Sequence, residues 1–162
     1  RGAKTATERG MANAAFLRTR IEFINSFFAS GEVDEIWITF PDPQLKKQRV
    51  KKRLTSPQFL GYYAKFLKPD GVVHLKTDSR HLHEYTKAVI ERNALPLLAC
   101  GDDIYGTGMA DTDLSIQTAY ERKFREQGLP ITYLRFMLGG RSEFEVPDFE
   151  EDDNLDASQL GE

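Results

Sequence analysis

Asp42 stands between two prolines in Phe40-Pro41-Asp42-Pro43, and six cationic side chains follow within eight residues: Lys46, Lys47, Arg49, Lys51, Lys52 and Arg53. Proline fixes its own φ and pushes the preceding residue towards extended geometry, so this carboxylate sits on a stiff turn. Six like charges repel one another unless an anion lies among them, and phosphate is the natural anion. Taken separately, the turn could merely end a strand and the basic run could be a solvated face. Together, behind an apolar strand, they point to a site that acts on nucleic acid.

Two further segments carry candidate chemistry. Asp78, in Leu75-Lys76-Thr77-Asp78-Ser79, stands just ahead of a helical pattern, where Asp serves equally as an N-cap or as a ligand-binding carboxylate. In Thr118-Ala119-Tyr120-Glu121, Thr118 and Glu121 have the spacing of a capping box. His74, His81 and His83 do not make a metal centre by spacing. His81 and His83 are two apart on a helix and point to different faces, and no cysteine or acidic spacing completes a zinc set. No metal is expected.

These groups need elements to hold them. Val33 to Phe40 and Val72 to Lys76 read as buried strands, with Lys68-Pro69-Asp70-Gly71 as a turn before the second. Ile21, Phe23, Ile24, Phe27 and Phe28 recur at helical spacing, which predicts a helix reaching about Ser30–Gly31. Ser56 as N-cap and Pro57 at the first position start another, and a third spans about Ser79 to Asn93. Ala14 to Leu17 reads as a short buried strand, Pro96 to Cys100 as another, and Ile131 to Leu138 as the last. Gly101 to Asp113 reads as a mobile loop, and Ser115 to Gln127 as a helix. Strands alternating with helices predict an α/β domain with a largely parallel sheet. In such sheets ligands gather at the carboxyl ends of strands, which is where Asp42 and Asp78 both fall.

Composition sets the outer bounds. At 162 residues one domain is expected, and no apolar run approaches the roughly 20 residues that span a bilayer. The single cysteine, Cys100, cannot form an internal disulfide, which suits a reducing compartment and predicts a cytoplasmic protein. The net charge of −3 hides an asymmetry: residues 1–142 hold 22 Lys and Arg against 16 Asp and Glu, and all nine acidic residues after that come without a base. The expected organisation is a domain over residues 1–140 and an acidic, disordered tail over 141–162.

Phe40-Pro41-Asp42-Pro43 with its lysines, Leu67-Lys68-Pro69-Asp70-Gly71-Val72, Leu75-Lys76-Thr77-Asp78 and Thr118-Ala119-Tyr120-Glu121-Arg122-Lys123-Phe124 together resemble the bacterial tRNA (guanine-N7)-methyltransferases. The resemblance runs from about Lys4 to Phe136. It implies a Rossmann-like class I methyltransferase sheet missing its first strands, because no Gly-rich cofactor turn precedes residue 14. It implies methyl transfer from S-adenosylmethionine to N7 of a guanosine in the tRNA variable loop. Asp42 would then lie at the cofactor and the reacting centre. Lys46, Asp78, Thr118, Ala119, Tyr120 and Glu121 would hold the guanosine, and Lys47, Arg49, Lys51, Lys52 and Arg53 would follow tRNA phosphates. Two rival readings are a non-catalytic RNA-binding fragment and a small-molecule methyltransferase of the same architecture.

Overall fold

The computed structural model describes residues 2–151. Its sheet has four strands: β1 (Val33–Thr39), β2 (Leu67–Thr77), β3 (Leu97–Gly101) and β4 (Thr132–Met137), in the spatial order β1-β2-β4-β3. Residues 72–77 of β2 are buried without a break, as expected of an interior strand covered on both faces. The helices are α1 (Gly2–Glu8), α2 (Pro57–Tyr63), α3 (Arg80–Arg92) and α4 (Ala119–Glu126). Short 3-10 turns cover Ile21–Ser26 and Lys47–Lys52. This is an α/β, Rossmann-like arrangement. Among the described residues no helix is long and apolar enough to cross a membrane.

Direction is where the expectation of a largely parallel sheet fails. Only β1 and β2 run parallel, with Thr39 opposite Lys76. β4 lies antiparallel between β2 and β3, setting Tyr133 opposite Lys76 and Leu134 opposite Cys100. Apolar alternation reports that a segment is a strand and is silent about its direction. Other expectations also shift. Ala14–Leu17 is irregular and exposed, with Phe16 61% accessible, because no described strand pairs with it. The helix predicted up to Gly31 shrinks to the 3-10 turn at Ile21–Ser26. β2 takes in the predicted Lys68–Gly71 turn, and the register slips there, Val33 facing Leu67 but Glu35 facing Val72.

Adjacent residues of a strand point to opposite faces, so β4 shows two cores. Leu134 and Phe136 join the main one, with Phe59, Leu60 and Tyr63 of α2 and Leu82, Tyr85, Val89 and Ile90 of α3. Tyr133 faces the other way, into a smaller cluster of Ile104, Leu114, Phe124 and Ile131. The smaller cluster overturns the picture of a mobile Gly101–Asp113 loop. Ile104 is fully buried and its amide donates to the Ile131 carbonyl at 2.9 Å. Asp103 and Asp111 each accept two backbone amides, which turns the loop with local hydrogen bonds.

The described part of the expected tail also packs. Phe144 and Phe149 lie against the main core. Asn93, just past α3, donates to the Glu145 carbonyl at 3.0 Å and accepts from the Glu145 amide at 2.7 Å. Residues 152–162 of that tail lie outside the described residues. Asn93 is 1% exposed and its amide also donates to the Val89 carbonyl. Asn93→Ala removes the side-chain bonds that tie the Glu145 backbone to the end of α3 and is expected to cost about 1–3 kcal/mol. Urea denaturation measures the loss, and faster proteolysis between residues 141 and 149 locates it.

Candidate active site at the carboxyl rim of β1 and β2

β1 and β2 are parallel neighbours, so their carboxyl ends meet at one edge of the sheet. Phe40 continues the ladder, its amide donating to the Lys76 carbonyl at 2.8 Å. Asp42 follows on an exposed turn, its Oδ1 accepting the Gln44 amide at 2.9 Å. Phe40 and Gln44, on either side, both have φ of 49°, a left-handed conformation unusual for such residues. Asp78 leaves the end of β2 half-buried. Burial pushes its carboxyl above the ordinary aspartate range, while its own amide, Thr77 and Tyr120 pull it back by hydrogen bonding. Ser79, not Asp78, caps α3, its Oγ accepting the Leu82 amide at 3.2 Å.

Tyr120 joins the two strand ends. Its ring meets the Phe40 ring edge-on at 5.8 Å, and burial together with the nearby Asp78 carboxylate pushes its hydroxyl above the ordinary tyrosine range. The ring is half exposed, so an aromatic face stands open beside Phe40 at the end of β1. Thr118, Ala119 and Tyr120 form the exposed start of α4, and the capping box is present: the Thr118 hydroxyl accepts the Glu121 amide at 3.0 Å, and Glu121 Oε2 accepts the Thr118 amide at 3.3 Å.

Glu121 differs from its neighbours. It is fully buried, and its Oε1 accepts from Lys76 Nζ at 2.7 Å and from the Tyr105 hydroxyl at 2.6 Å. Both carboxylate oxygens are therefore engaged inside the protein, and the residue positions α4 rather than facing a ligand. Lys76, 3% exposed, completes its shell with the carbonyls of Leu114 at 2.7 Å and Ile116 at 3.3 Å. Three acceptors match the three ammonium hydrogens. Tyr105 is pushed up to about 12 by burial, then by the Glu121 hydrogen bond and charge, and Arg125 stacks 3.8 Å from its ring centre. Sequence reasoning misses Lys76 as a candidate, because a lysine in a predicted strand reads as a solvent-facing residue. Its one signal is its place inside an otherwise apolar run.

The basic segment divides. Lys46, Lys47, Arg49, Lys51 and Lys52 are exposed on the turn that follows Asp42, free to meet an anion. Arg53, expected at a phosphate, is fully buried and fork-bonded to Glu151, with both contacts at 2.7 Å. That expectation is corrected: the end of the run turns inward. A cavity of about 460 Å³ opens beside the rim, lined by Glu35, Trp37, Thr39, Lys76, Asp113, Ile116 and Thr118. Its lining includes neither Asp42 nor Asp78. Trp37 stacks on His74 at 3.9 Å, and Tyr133 reaches His74 Nδ1 at 2.7 Å, so His74 is tied into the sheet face.

One group of metal-type donors is brought together. His83 Nε2 lies 3.2 Å from Asp102 and 3.9 Å from Cys100 Sγ. A metal-bound histidine almost always donates its other ring N–H, yet His83 Nδ1 is buried with no partner among the described residues. The arrangement reads instead as a weak Cys100 Sγ–His83 Nε2 hydrogen bond with the Asp102 carboxylate alongside.

An acidic, aromatic rim at the ends of parallel strands, with a basic turn attached, lies where Rossmann-like α/β folds gather their ligands. A family model described as "Putative methyltransferase" matches residues 2–134, and the chain belongs to that family. It is 50% identical over 149 residues to the tRNA (guanine-N(7)-)-methyltransferase of Bacteroides thetaiotaomicron, covering 92% of this chain and 58% of that protein. With the protein of the same name from Porphyromonas gingivalis it shares 52% over 151 residues, covering 92% and 61%. The one from Geobacillus kaustophilus is 37% identical over 121 residues, covering 75% and 54%. The chain thus spans about three fifths of the length of the first two relatives.

Lys76→Met leaves Glu121 buried without its cation and is expected to destabilise by about 3–5 kcal/mol in chemical denaturation, while Lys76→Met combined with Glu121→Leu recovers much of the loss. Equal losses in the single and double variants would remove the ion pair as the cause.

Proposed function

We propose that this chain forms the acceptor side of an enzyme that methylates N7 of a guanosine in the variable loop of tRNA, with S-adenosylmethionine as donor. The observation that carries the reading is the half-exposed Tyr120 ring packed edge-on against Phe40, two residues before Asp42, with its hydroxyl under the influence of the Asp78 carboxylate at the end of β2. The names of the relatives supply the base, the atom and the tRNA. A reducing, cytoplasmic setting suits an enzyme of this substrate with one free thiol.

The residues fit the acceptor's chemistry. N7 of neutral guanine has a lone pair and no proton, so no general base is required to make the nucleophile. What the protein supplies is alignment. The open face of Tyr120 suits a purine ring, and carboxylates accept hydrogen bonds from guanine N1–H and N2–H₂, which adenine cannot match. As N7 gains a methyl group the ring becomes cationic, and Asp42 and Asp78 are carboxylates fixed at the rim to stabilise that charge. Thr118 and Ala119 set Tyr120 in place, and Lys46 stands on the turn beyond Asp42 for the guanosine's phosphate. Lys47, Arg49, Lys51 and Lys52 extend the same positive surface along the RNA backbone.

The donor is less well provided for. Both strand-end turns of the parallel pair, Phe40-Pro41-Asp42 and Thr77-Asp78-Ser79, lack glycine, and the groove beside the free edge of β1 is lined largely by apolar side chains such as Ile21, Ile24, Phe28 and Ile36. The described residues therefore make no cradle for the cofactor's ribose and amino-acid ends. Asp42 is the one rim group here suited to lie near its sulfonium.

Methyl transfer to tRNA from labelled S-adenosylmethionine by the complete polypeptide tests this function, with the modified position mapped by base-specific chain cleavage at 7-methylguanosine. Asp42→Asn is expected to lower the rate at least about a hundredfold while shifting the melting temperature little, since the side chain is exposed. Neutralising Lys47, Lys51 and Lys52 is expected to weaken tRNA binding and flatten its salt dependence by about one unit of slope for each phosphate no longer neutralised. Transfer that ignores Asp42, or binding that ignores those lysines, would contradict the reading.

A further inference from the structure

The turn that carries Asp42 is held from within by one side chain. Arg53 Nε donates to the Pro43 carbonyl at 3.1 Å, and an Arg53 terminal nitrogen donates to the Gln44 carbonyl at 3.2 Å. These are the two carbonyls that directly follow Asp42. Gln44 has a φ of 49°, and its amide bonds the Asp42 carboxylate. Backbone in that conformation relaxes unless its surroundings over-determine it, and Arg53 is what determines it here.

Arg53 is itself held by the far end of the described chain. Glu151 meets Nη1 and Nη2 in a fork with both distances 2.7 Å. The guanidinium lies 4.3 Å from the Tyr85 ring centre. His81 Nε2 is 2.9 Å from Arg53 and 3.0 Å from Glu151. The two hydrogens on Arg53 Nη2 are taken by the Gln44 carbonyl and by Glu151, so His81 serves the cluster as a donor to Glu151. Phe149 packs edge-on against both His81 and Tyr85, at 5.3 and 5.5 Å, which seats the segment. Burial pushes the Glu151 carboxyl up, but hydrogen bonds and charge from Arg53, with His81, outweigh it and leave the group below its ordinary range.

We infer that the C-terminal segment Phe149–Glu151 is part of the working machinery of the rim: Glu151 orients Arg53, and Arg53 sets the backbone that aims Asp42. Both are positioning residues, since neither faces the open rim. The inference rests on the assignment of Asp42 to the reacting centre. It also gives the acidic end of the chain a task that its composition does not suggest. Glu151 is buried against a cation, and its replacement acts at a distance on the turn after β1.

The test uses Glu151→Gln and Arg53→Lys in the complete polypeptide. Gln keeps the size of Glu151 and removes its charge, and Lys keeps the charge of Arg53 and removes its fork. In both, kcat for methyl transfer is expected to fall about tenfold or more, because small misplacements of a reacting group are costly. KM for tRNA and the salt slope of binding should stay near those of the parent. Backbone hydrogen exchange over residues 42–46 should quicken in both variants. That readout is independent of activity: a parent protein that transfers no methyl group would sink the proposed function, while faster exchange in the variants would still support the clamp. Two results overturn the clamp. One is exchange and kcat unchanged in Glu151→Gln. The other is tighter tRNA binding with a salt slope steeper by about one, which would make Glu151 a stand-in for a phosphate that Arg53 binds.

Discussion

A buried ion pair decides whether there is a rim site at all. Lys76 and Glu121, both essentially inaccessible, join the middle of the sheet to the first turn of α4. Two buried charges are tolerated only when their hydrogen-bonding capacity is filled, and here carbonyls of Leu114 and Ile116, the Tyr105 hydroxyl and the Thr118 amide fill it. The consequence is geometric. With Glu121 anchored, Tyr120 one residue earlier is held edge-on against Phe40 at the end of β1. Replacing the pair with apolar side chains could preserve stability, but it would surrender the link that fixes where α4 begins.

The same logic recurs on the other side of Asp42. Arg53 is buried, charged and fully engaged, and in the clamp inferred above it too converts a distant carboxylate into the placement of the Asp42 turn. The rim is thus framed by two buried cation–carboxylate contacts, one from β2 to α4 and one from the basic turn to the C-terminal segment. Between them lie the exposed groups: Asp42, the open face of Tyr120, and the free lysines. Order beneath and exposure above is what the proposed reaction requires, since methylating a lone pair calls for no proton transfer but does call for fixed geometry.

Much of this is legible in the chain. Pro41 and Pro43 announce a fixed carboxylate, the apolar runs before Asp42 and Asp78 announce strand ends, and the spacing of Thr118 and Glu121 announces a cap. Those signals are local, and local sequence determines them. What escapes depends on long-range partners. Arg53 looks like the last member of a solvated run until Glu151 arrives from 98 residues away. Lys76 looks like a strand-edge residue until the loop before α4 folds over it. The antiparallel insertion of β4 between β2 and β3 has no local signature, and Gly101–Gln117, glycine- and aspartate-rich, hides the buried Ile104 that pins it. Composition alone favours a loose tail after residue 140, and two phenylalanines outweigh the charge around them.

The central claim is that Asp42, Asp78 and Tyr120 surround a single guanosine. The most direct measurement is photocross-linking of the complete polypeptide to tRNA carrying 8-azidoguanosine at the acceptor position, with the attachment sites read by mass spectrometry. Cross-links confined to Phe40–Lys46, Thr77–Ser79 and Thr118–Tyr120 are the outcome required. Cross-links at the opposite end of the sheet, around Lys68–Gly71 or Pro96–Leu98, would contradict it.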